Sequence, residues 1–452
     1  MSTRAPILAC PTSGLPDHIL SHPTISAFPI PHPMLSDGEI LGTATDVATV
    51  VRRVSPVLRK PPPMLDLTRL RREAVEAPES GIVAVVNHAR GREGIIPMWA
   101  GEGDLATPKF IADAAAQSLS EGETFYTWQR GLPELREALS AYSGRLYGQN
   151  LEPERFFVTG SGMHAIQIAL MALAGAGDEV VFIGPVWPNF SAAAGLMGAA
   201  RREVSLDFVA GRWSLDLDKL KAAITDKTRV LFVNTPSNPT GWTADRETLA
   251  AILAMAREAG IAVIADEIYA RFYYDGPRAP SFHDVMAAHD AILFVNSFSK
   301  NWAMTGWRIG WIEASPALGQ IVENLIQYSN SGVAAFMQRG AIAAVTRGED
   351  FVENQITRAE TARDIFCDIL TATNRVELTP PDGAFYAFFR IDGVTDTRAA
   401  AFRIVDEAKV AIAPGTAFGP NGAPFFRACF HRRIDEVEAA AHRLAEWIGY
   451  QV

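Results

Sequence analysis

A chain of 452 residues, of which 48% are apolar and 20% charged, predicts two or three globular domains and excludes wholesale disorder. Its formal net charge of −10 comes without any block of basic residues, which argues against nucleic acid as the main partner. The 3 cysteines are scattered and too few for a disulfide framework or a zinc site, so we expect a reducing compartment and no bound metal.

The sequence shows no membrane or export signal. Its longest apolar stretch, residues 165–176, is too short to cross a bilayer and ends in a glycine-containing turn. The first residues, Met1–Arg4, are not followed by a hydrophobic segment of the signal-peptide type. These features predict a cytoplasmic protein.

Residues 1–64 contain prolines throughout most of their length, which excludes long helices from most of this segment. We expect an N-terminal extension that packs on the body or on a partner subunit, or else a flexible tail. Beyond it, residues 65–92 have the apolar spacing of a helix. Thr107 and Pro108 predict the start of another helix, with Thr107 as the cap and Pro108 at its first position.

From residue 155 onward, apolar strands alternate with amphipathic helices, which predicts a mostly parallel sheet with helices on both faces. The predicted strands cover 155–159, 179–183, 229–233, 261–265, 291–296 and 308–312. A long helical stretch follows, 318–370, with a break at 330–332. The tail, 377–452, mixes short strands and helices. The fold class is therefore α/β, with a large domain at 108–329 and a smaller α+β domain formed by 65–107 and 330–452.

Lys300 follows the predicted strand 291–296, and ligands of open α/β sheets bind at the carboxyl ends of strands. Because it lies between Phe298 and Trp302, we expect this lysine to be partly desolvated, which lowers the pKa of the amine and makes it a better nucleophile. Arg308 could bind a phosphate in a fixed fork. Taken alone, these two residues also fit a solvated lysine and a structural arginine.

The segment Gly160–Ala165 follows a strand, opens a helix and has the form Gly-x-Gly-x-x-Ala of dinucleotide-binding proteins. That fingerprint requires an acidic residue at the end of the next strand. Here the acids Asp178 and Glu179 precede that strand. A dinucleotide site is therefore disfavoured, whereas a helix N-terminus that binds one phosphate remains.

Two further strand ends carry polar residues. Asn238 lies in a turn at 234–241 whose composition is also explained by turn formation alone. Asp266 ends the next strand and precedes Tyr269. A carboxylate there could act as a base or a metal ligand, although no second carboxylate has metal-binding spacing, or it could hold a proton on a heterocyclic nitrogen. An amine, an acid, ring-oxygen donors and a phosphate-binding helix together match the requirements of pyridoxal phosphate.

This set of motifs, with Ser297-Phe-Ser-Lys300 and Met304-Thr-Gly-Trp-Arg308 at its centre, resembles the class I/II aminotransferases of the aspartate aminotransferase type. The likeness extends from about residue 65 to the C-terminus and implies pyridoxal-phosphate fold type I. It also implies a ping-pong transfer of an amino group between an L-amino acid and a 2-oxo acid. In that reaction Lys300 would form an aldimine with the cofactor and move the proton between Cα and C4′.

The resemblance assigns further roles by position. Asp266 would pair with the ring nitrogen, Trp187 would stack on the ring, and Asn238 and Tyr269 would donate to the ring oxygen. Those assigned to the phosphate are Arg308, Ser297, the backbone of Ser161, Gly162 and Met163, and Tyr126 of a neighbouring subunit. The last assignment implies a homodimer with shared active sites.

For the substrate, the resemblance assigns Arg427 and the backbone of Gly101 to the α-carboxylate. It also assigns Asn238 to the substrate-binding site. Residues 383–386 and 414–416 match framework segments. The chain departs from the family at Gly103, where a proline is usual and where we expect a more mobile loop. It also has Met163 where some aspartate-specific relatives carry a lysine.

Trp128, in the loop expected to face the partner subunit, favours aromatic or bulky apolar substrates. Two other activities remain open. Some relatives with the same cofactor residues are β-lyases or synthases, and a ligand-sensing regulatory protein could use the same fold.

Overall fold

The computed structural model describes residues 67–450. The proline-rich extension predicted at 1–64 lies outside this range. The helices of the described residues are α1 (Arg72–Val75), α2 (Gly81–Ala89), α3 (Lys109–Ser120), α4 (Pro133–Tyr147), α5 (Gly162–Leu173), α6 (Pro188–Leu196), α7 (Leu217–Ala223), α8 (Arg246–Ala259), α9 (Gly319–Ser329), α10 (Ala335–Arg347), α11 (Glu349–Thr371), α12 (Thr397–Glu407) and α13 (Ile434–Gly449).

The strands of the same residues are β1 (Ile96–Pro97), β2 (Phe156–Thr159), β3 (Glu179–Gly184), β4 (Ala200–Ser205), β5 (Asp207–Val209), β6 (Arg212–Ser214), β7 (Thr228–Asn234), β8 (Ala262–Asp266), β9 (Ile292–Ser297), β10 (Gly310–Glu313), β11 (Val376–Glu377), β12 (Tyr386–Ile391), β13 (Val410–Ala411), β14 (Ala413–Pro414) and β15 (Phe426–Cys429). No helix in 67–450 is long and apolar enough to cross a membrane.

A seven-stranded sheet in the order β2-β10-β9-β8-β7-β3-β4 dominates the larger part of the molecule. Only β10 runs antiparallel to its neighbours. Alternate residues of β8 contribute to two separate apolar cores: Ile264 packs with α5, α6 and α9, whereas Val263 and Ala265 pack with α7 and α8. Both faces of the sheet are therefore covered, as the continuous apolar character of the strands predicts.

A smaller antiparallel sheet, in the order β11-β12-β15-β14, lies in the C-terminal part of the chain. Its core includes apolar residues of α11, α12 and α13. The N-terminal segment joins this part, because β1 pairs with β13 and Met98 is buried in the same core. The register pairs Phe388 with Arg427, which places a basic residue in the middle of an apolar layer.

Several helix boundaries follow from local chemistry. At the start of α8 the Asp245 side chain accepts a hydrogen bond from the Thr248 amide at 2.7 Å, and the helix ends at Gly260 in the left-handed conformation, with φ 65°. The predicted cap at Thr107 is wrong, since Pro108 is the N-cap of α3. The Thr107 hydroxyl instead donates to the Ala303 carbonyl at 2.7 Å, so that it joins α3 to the loop after Lys300.

The predicted strand at 308–312 begins two residues later in the structure. Arg308 is in the left-handed conformation, with φ 53°, and β10 starts only at Gly310. The left-handed backbone at Arg308 cannot belong to a strand, so that β10 begins only after it. Arg308 therefore lies in the loop that also contains Lys300.

Candidate active site

A cavity of about 280 Å³ lies at the carboxyl ends of the central strands. It is bounded by the loops after β7, β8 and β9, by the first turn of α5, and by β12 and β15 of the smaller sheet. Its lining includes most of the residues predicted from the sequence, namely Gly101, Gly162, Met163, Trp187, Asn238, Asp266, Tyr269, Ser297, Lys300, Arg308 and Arg427.

The Lys300 amine lies inside this cavity, three residues after the end of β9. Its Nζ donates a hydrogen bond to the Gly101 carbonyl at 2.5 Å and lies 5.9 Å from the centre of the Tyr269 ring. Burial lowers the pKa of the amine from its ordinary value to about 8. A substantial fraction of the amine is therefore neutral just above neutral pH, which is the form that attacks a carbonyl.

Asp266 is the last residue of β8 and is buried, with 6% of its surface exposed. Burial raises the pKa of its carboxyl to about 7. The side chain accepts only one long hydrogen bond from the described residues, from the Ile268 amide at 3.4 Å. No cation of the described residues forms an ion pair with Asp266. A carboxylate in this position would therefore stabilise a positively charged group of a ligand that enters the cavity.

The first turn of α5 and the Lys300 loop approach each other closely. A Cβ built on Gly162 would lie 3.2 Å from the Ser297 Cβ. Ser161 does not line the cavity; its side chain caps α5 by accepting from the His164 amide at 3.0 Å. Arg308 uses one nitrogen on the Thr305 carbonyl at 2.6 Å. The helix N-terminus and the remaining guanidinium donors form an anion-binding corner.

Arg427, on β15, is a second residue of the cavity that could hold an anion. It is 1% exposed, and its nitrogens donate to the Asn238 side-chain oxygen at 3.1 Å and to the Trp99 carbonyl. Its guanidinium carbon lies 4.7 Å from the centre of the Tyr386 ring. Within 67–450 no carboxylate pairs with it, and its Nε has no hydrogen-bond partner. A buried arginine with unused donors favours a carboxylate ligand in a forked geometry.

Tyr126 and Trp128 do not reach the cavity of their own chain. They lie in the loop between α3 and α4, with exposed fractions of 93% and 62%. Phe125 in the same loop is 84% exposed. A surface loop with three neighbouring aromatic residues is typical of a protein–protein interface.

Sequence reasoning did not assign several residues of the cavity, among them Tyr386 and Trp99. Tyr386 was expected to belong to the framework, but its hydroxyl forms a 2.8 Å hydrogen bond with the Tyr269 hydroxyl at the cavity wall. Trp99 was not singled out, yet its ring lines the cavity and its carbonyl holds Arg427. For Tyr386, the sequence contained one local signal of a role in the cavity: it is a hydroxyl-bearing aromatic residue at the start of an otherwise apolar strand, Tyr386–Ile391.

The structure gives a different reason for Gly103 than the mobility expected from the sequence. A Cβ at this position would lie 2.5 Å from Cδ2 and 2.7 Å from Nε2 of His431. A side chain at position 103 is therefore excluded, because the His431 ring occupies the space that its Cβ would need. The following residue, Asp104, forms a 3.1 Å ion pair with Arg358.

A large, mostly parallel sheet joined to a smaller antiparallel one, with a buried lysine at a strand end between them, defines an enzyme of the pyridoxal-phosphate fold type I class. The sequence matches the family of class I and II aminotransferases over residues 93–444. The chain belongs to this family, and it is an aminotransferase.

Known relatives agree with this assignment. The chain is 33% identical to a probable aspartate aminotransferase of Methanocaldococcus jannaschii over 346 residues, which cover 75% of this chain and 90% of the relative. It is 30% identical to an aspartate aminotransferase of Thermotoga maritima over 357 residues, 79% of this chain and 92% of the relative.

Solved structures show the same fold. The crystal structure of the aspartate aminotransferase of Thermotoga maritima superimposes with a TM-score of 0.79 at 29% identity, covering 84% of this chain and 100% of that chain. An alanine aminotransferase of Pyrococcus furiosus gives a TM-score of 0.79 at 28% identity, covering 85% and 100%. The fold class and the family predicted from the sequence are thus confirmed.

Proposed function

We propose that the cavity binds pyridoxal 5′-phosphate and that the protein transfers amino groups between an L-amino acid and a 2-oxo acid by a ping-pong mechanism. The observation that carries this proposal is the presence, in one cavity, of a buried acid, Asp266, that forms no ion pair with any residue of 67–450, and of a part-buried amine, Lys300. The bound cofactor would supply an aldehyde for the amino group and a ring that takes up electrons from the substrate Cα.

The chain's own residues fit the two ends of this cofactor. The anion-binding corner of Ser297, Arg308 and the α5 amides would hold the phosphate. At the other end, Asp266 would keep a proton on the ring nitrogen, because a buried carboxylate stabilises a neighbouring cation. Trp187, which lines the same cavity, would stack on the ring.

Two donors near the middle of the cavity would bind the ring oxygen. Tyr269 is buried, and burial raises the pKa of its hydroxyl, so that it remains a donor at physiological pH. The Asn238 side-chain oxygen already accepts a hydrogen bond from Arg427 at 3.1 Å, which leaves the amide nitrogen of Asn238 as the donor for the ring oxygen.

Lys300 would hold the cofactor covalently through Nζ and, once released by the substrate amine, take the proton from the substrate Cα at the same atom. With a pKa of about 8, this amine accepts a proton and returns it without a large energetic penalty near neutral pH. Arg427 would bind the substrate carboxylate together with the Gly101 backbone and so orient the Cα towards Lys300.

The remaining walls favour aromatic or bulky apolar side chains. Ile82, Trp99 and Ile166 line the cavity, and Met163 stands where a lysine would bind a second carboxylate. The two sequence relatives described above are a probable aspartate aminotransferase and an aspartate aminotransferase, whereas these apolar walls are a reason to test apolar amino donors beside aspartate.

We also propose a homodimer with shared active sites. The aromatic loop with Tyr126 and Trp128 is exposed, and Tyr328 at the end of α9 is 85% exposed. Burying such a surface against a second copy would remove a large apolar area from water. In the dimer Tyr126 would reach the phosphate and Trp128 the substrate of the other subunit.

The test is to mix the purified protein with single amino acids in the absence of any oxo acid and to follow its absorbance. Conversion of an imine band to a pyridoxamine band supports half-transamination, and the fastest amino acid identifies the donor class. Release of pyruvate or ammonia without that conversion would instead identify a lyase. Absence of a cofactor band would contradict the proposal and favour a sensor.

Lys300→Ala is the matched control for this experiment. It should lose both the imine band and turnover, because no other lysine of residues 67–450 lines the cavity. Retained transaminase activity in this variant would refute the role of Lys300.

A further inference from the structure

The short segment Gly101–Asp104, here called the carbonyl loop, is tied to three different elements. The Gly101 carbonyl accepts from Lys300 Nζ at 2.5 Å. The Thr305 hydroxyl donates to the Glu102 carboxylate at 2.7 Å. Asp104 pairs with Arg358 of α11 at 3.1 Å. The position of this loop therefore fixes the acceptor of the Lys300 amine.

His431 packs against the middle of the carbonyl loop, directly after β15. It is 2% exposed and lies between Phe385, at a ring-centre distance of 4.9 Å, and Phe272, at 5.2 Å. Its ring occupies the space that a side chain at Gly103 would need. No side chain fits between the ring and the loop, so a displacement of one displaces the other.

A hydrogen-bond chain fixes the orientation of this ring. Gln355 donates through its amide nitrogen to the Asn301 carbonyl at 2.6 Å, which turns its side-chain oxygen towards His431. The His431 Nε2 lies 3.1 Å from that oxygen and is therefore the protonated nitrogen. Burial lowers the pKa of His431 to about 4, so that the ring is neutral at physiological pH and its proton stays on Nε2.

A small cavity of about 20 Å³ borders His431, Gly103 and Lys300. Its size suffices for about one water molecule. If the His431 ring were removed, this cavity would grow beside the Lys300 amine and admit further water. The ring thus lies where it limits the hydration of Lys300 from the side of the carbonyl loop.

We propose that His431 is a positioning residue of the aminotransferase reaction: its ring holds the carbonyl loop through Gly103 and so keeps the Gly101 carbonyl on the Lys300 amine and water away from it. This inference rests on the proposed role of Lys300 as the reacting amine. His431 acts through the volume of its ring, which fills the space beside Gly103. The hydrogen bond to Gln355 orients that ring.

The test compares His431→Ala, His431→Phe, Gly103→Ala and the double variant Gly103→Ala/His431→Ala in the full-length protein. The pKa of Lys300 is measured without bound cofactor, from the pH dependence of its labelling by an amine-directed reagent and mass spectrometry of the Lys300 peptide. The other charged or titratable groups near this amine, Asp266, Glu102, Cys429, Arg427 and Arg308, are the same in every variant. His431 itself is neutral in the pH range of the measurement, because burial lowers its pKa to about 4.

His431→Ala should raise the pKa of Lys300 by about 0.5 to 1, because water then reaches the amine, replaces the Gly101 carbonyl as its acceptor and reverses part of the lowering caused by burial. Gly103→Ala should have an effect in the same direction, since its Cβ forces the loop and ring apart. His431→Phe fills the same space and should keep the pKa within about 0.2 of the wild-type value. In the loaded enzyme, His431→Ala should lower kcat more than it raises KM.

The double variant gives the sharpest result. Once the ring is absent, the alanine at 103 meets no clash, so Gly103→Ala should add no further change in the His431→Ala background. Gly175→Ala, at a glycine with open space around its Cβ position and no positive φ, is the control for a glycine substitution as such and should change nothing.

An unchanged Lys300 pKa in folded His431→Ala, or an equal effect of Gly103→Ala in both backgrounds, would overturn the proposal. If His431→Ala does not fold, the contrast between His431→Phe and Gly103→Ala decides in the same way. The labelling requires no cofactor, so it remains decisive for the role of His431 even if Lys300→Ala were to retain transfer activity and the proposed function itself failed.

Discussion

Asp266 and Glu267 are neighbours in the chain and have almost the same burial, but their surroundings differ. Burial raises the pKa of both carboxyls to about 7. The Glu267 carboxylate accepts from the Ser281 hydroxyl at 2.6 Å and the Phe282 amide at 3.0 Å. Asp266 faces the cavity and has only the amide at 3.4 Å. A buried acid that satisfies its hydrogen bonds within the protein is a structural group, whereas one left without partners indicates a ligand.

The same comparison separates two buried arginines. Arg271, on the loop after β8, forms a 2.5 Å ion pair with Glu349. Arg427 has no carboxylate partner in the described chain and retains unused donors. Burial alone therefore does not identify a functional charge in this protein. We expect the absence of a charged internal partner to do so, and the following predictions test that distinction.

The largest expected effect is on catalysis at Asp266. Asp266→Ala should lower kcat by about 10³-fold, because the charge that supports the cofactor ring is lost from a buried site. Glu267→Gln should keep kcat within about threefold, because its carboxylate forms its hydrogen bonds within the protein, with Ser281 and Phe282. Steady-state kinetics of both variants measure the contrast. Equal loss of activity in the two would remove the distinction.

A second effect is expected on substrate binding. Arg427→Ala should raise KM for the amino acid by about 10²-fold, since a buried charge pair with the substrate carboxylate is lost. Arg271→Ala should leave KM nearly unchanged and lower the thermal stability, because the buried guanidinium loses its contacts with the Glu349 carboxylate and the Pro277 carbonyl. The two KM values, measured with the same amino acid, test whether the unpaired arginine is the ligand-binding one.

The pH dependence of stability provides the third prediction. Between about pH 4 and 7, Asp266 is protonated in the folded protein but ionised in the unfolded chain. Folding therefore takes up a proton, and the free energy of unfolding falls as the pH rises through this window. Without cofactor, Asp266→Asn should therefore be more stable than the wild type at pH 8 by about 2–4 kcal/mol, and equally stable near pH 4. Urea denaturation at the two pH values measures this.

Adding pyridoxal phosphate should reverse the order at pH 8. The wild type gains a cation beside Asp266, whereas the asparagine variant does not. If Asp266→Asn were no more stable than the wild type without cofactor, the carboxylate would already have a cation partner and the comparison with Glu267 would fail.

The sequence was sufficient for the strand–helix alternation and for residues whose chemistry is set at strand ends, such as Lys300 and Asp266. These depend on local periodicity and on the rule that the ends of parallel strands meet. It was not sufficient for Tyr386 or His431. Both act through residues more than a hundred positions away, Tyr269 and Gly103, so that no local pattern indicates the contact. The prediction of Thr107 as a helix cap was wrong for the same reason, because its hydroxyl donates a hydrogen bond to the carbonyl of Ala303, which is distant in the sequence.

The smallest expected effect concerns Tyr386, which satisfies its hydroxyl within the protein and still borders the cavity. Its only hydrogen bond in the described residues joins the hydroxyl of Tyr269 at 2.8 Å. Tyr386→Phe should lower kcat by about five- to tenfold, the value of one buried hydrogen bond that orients Tyr269. Tyr269→Phe should cost more, because it removes the donor itself. If the double variant loses no more than Tyr269→Phe alone, Tyr386 acts only through Tyr269. A further loss in the double variant would show that Tyr386 contacts the ligand directly.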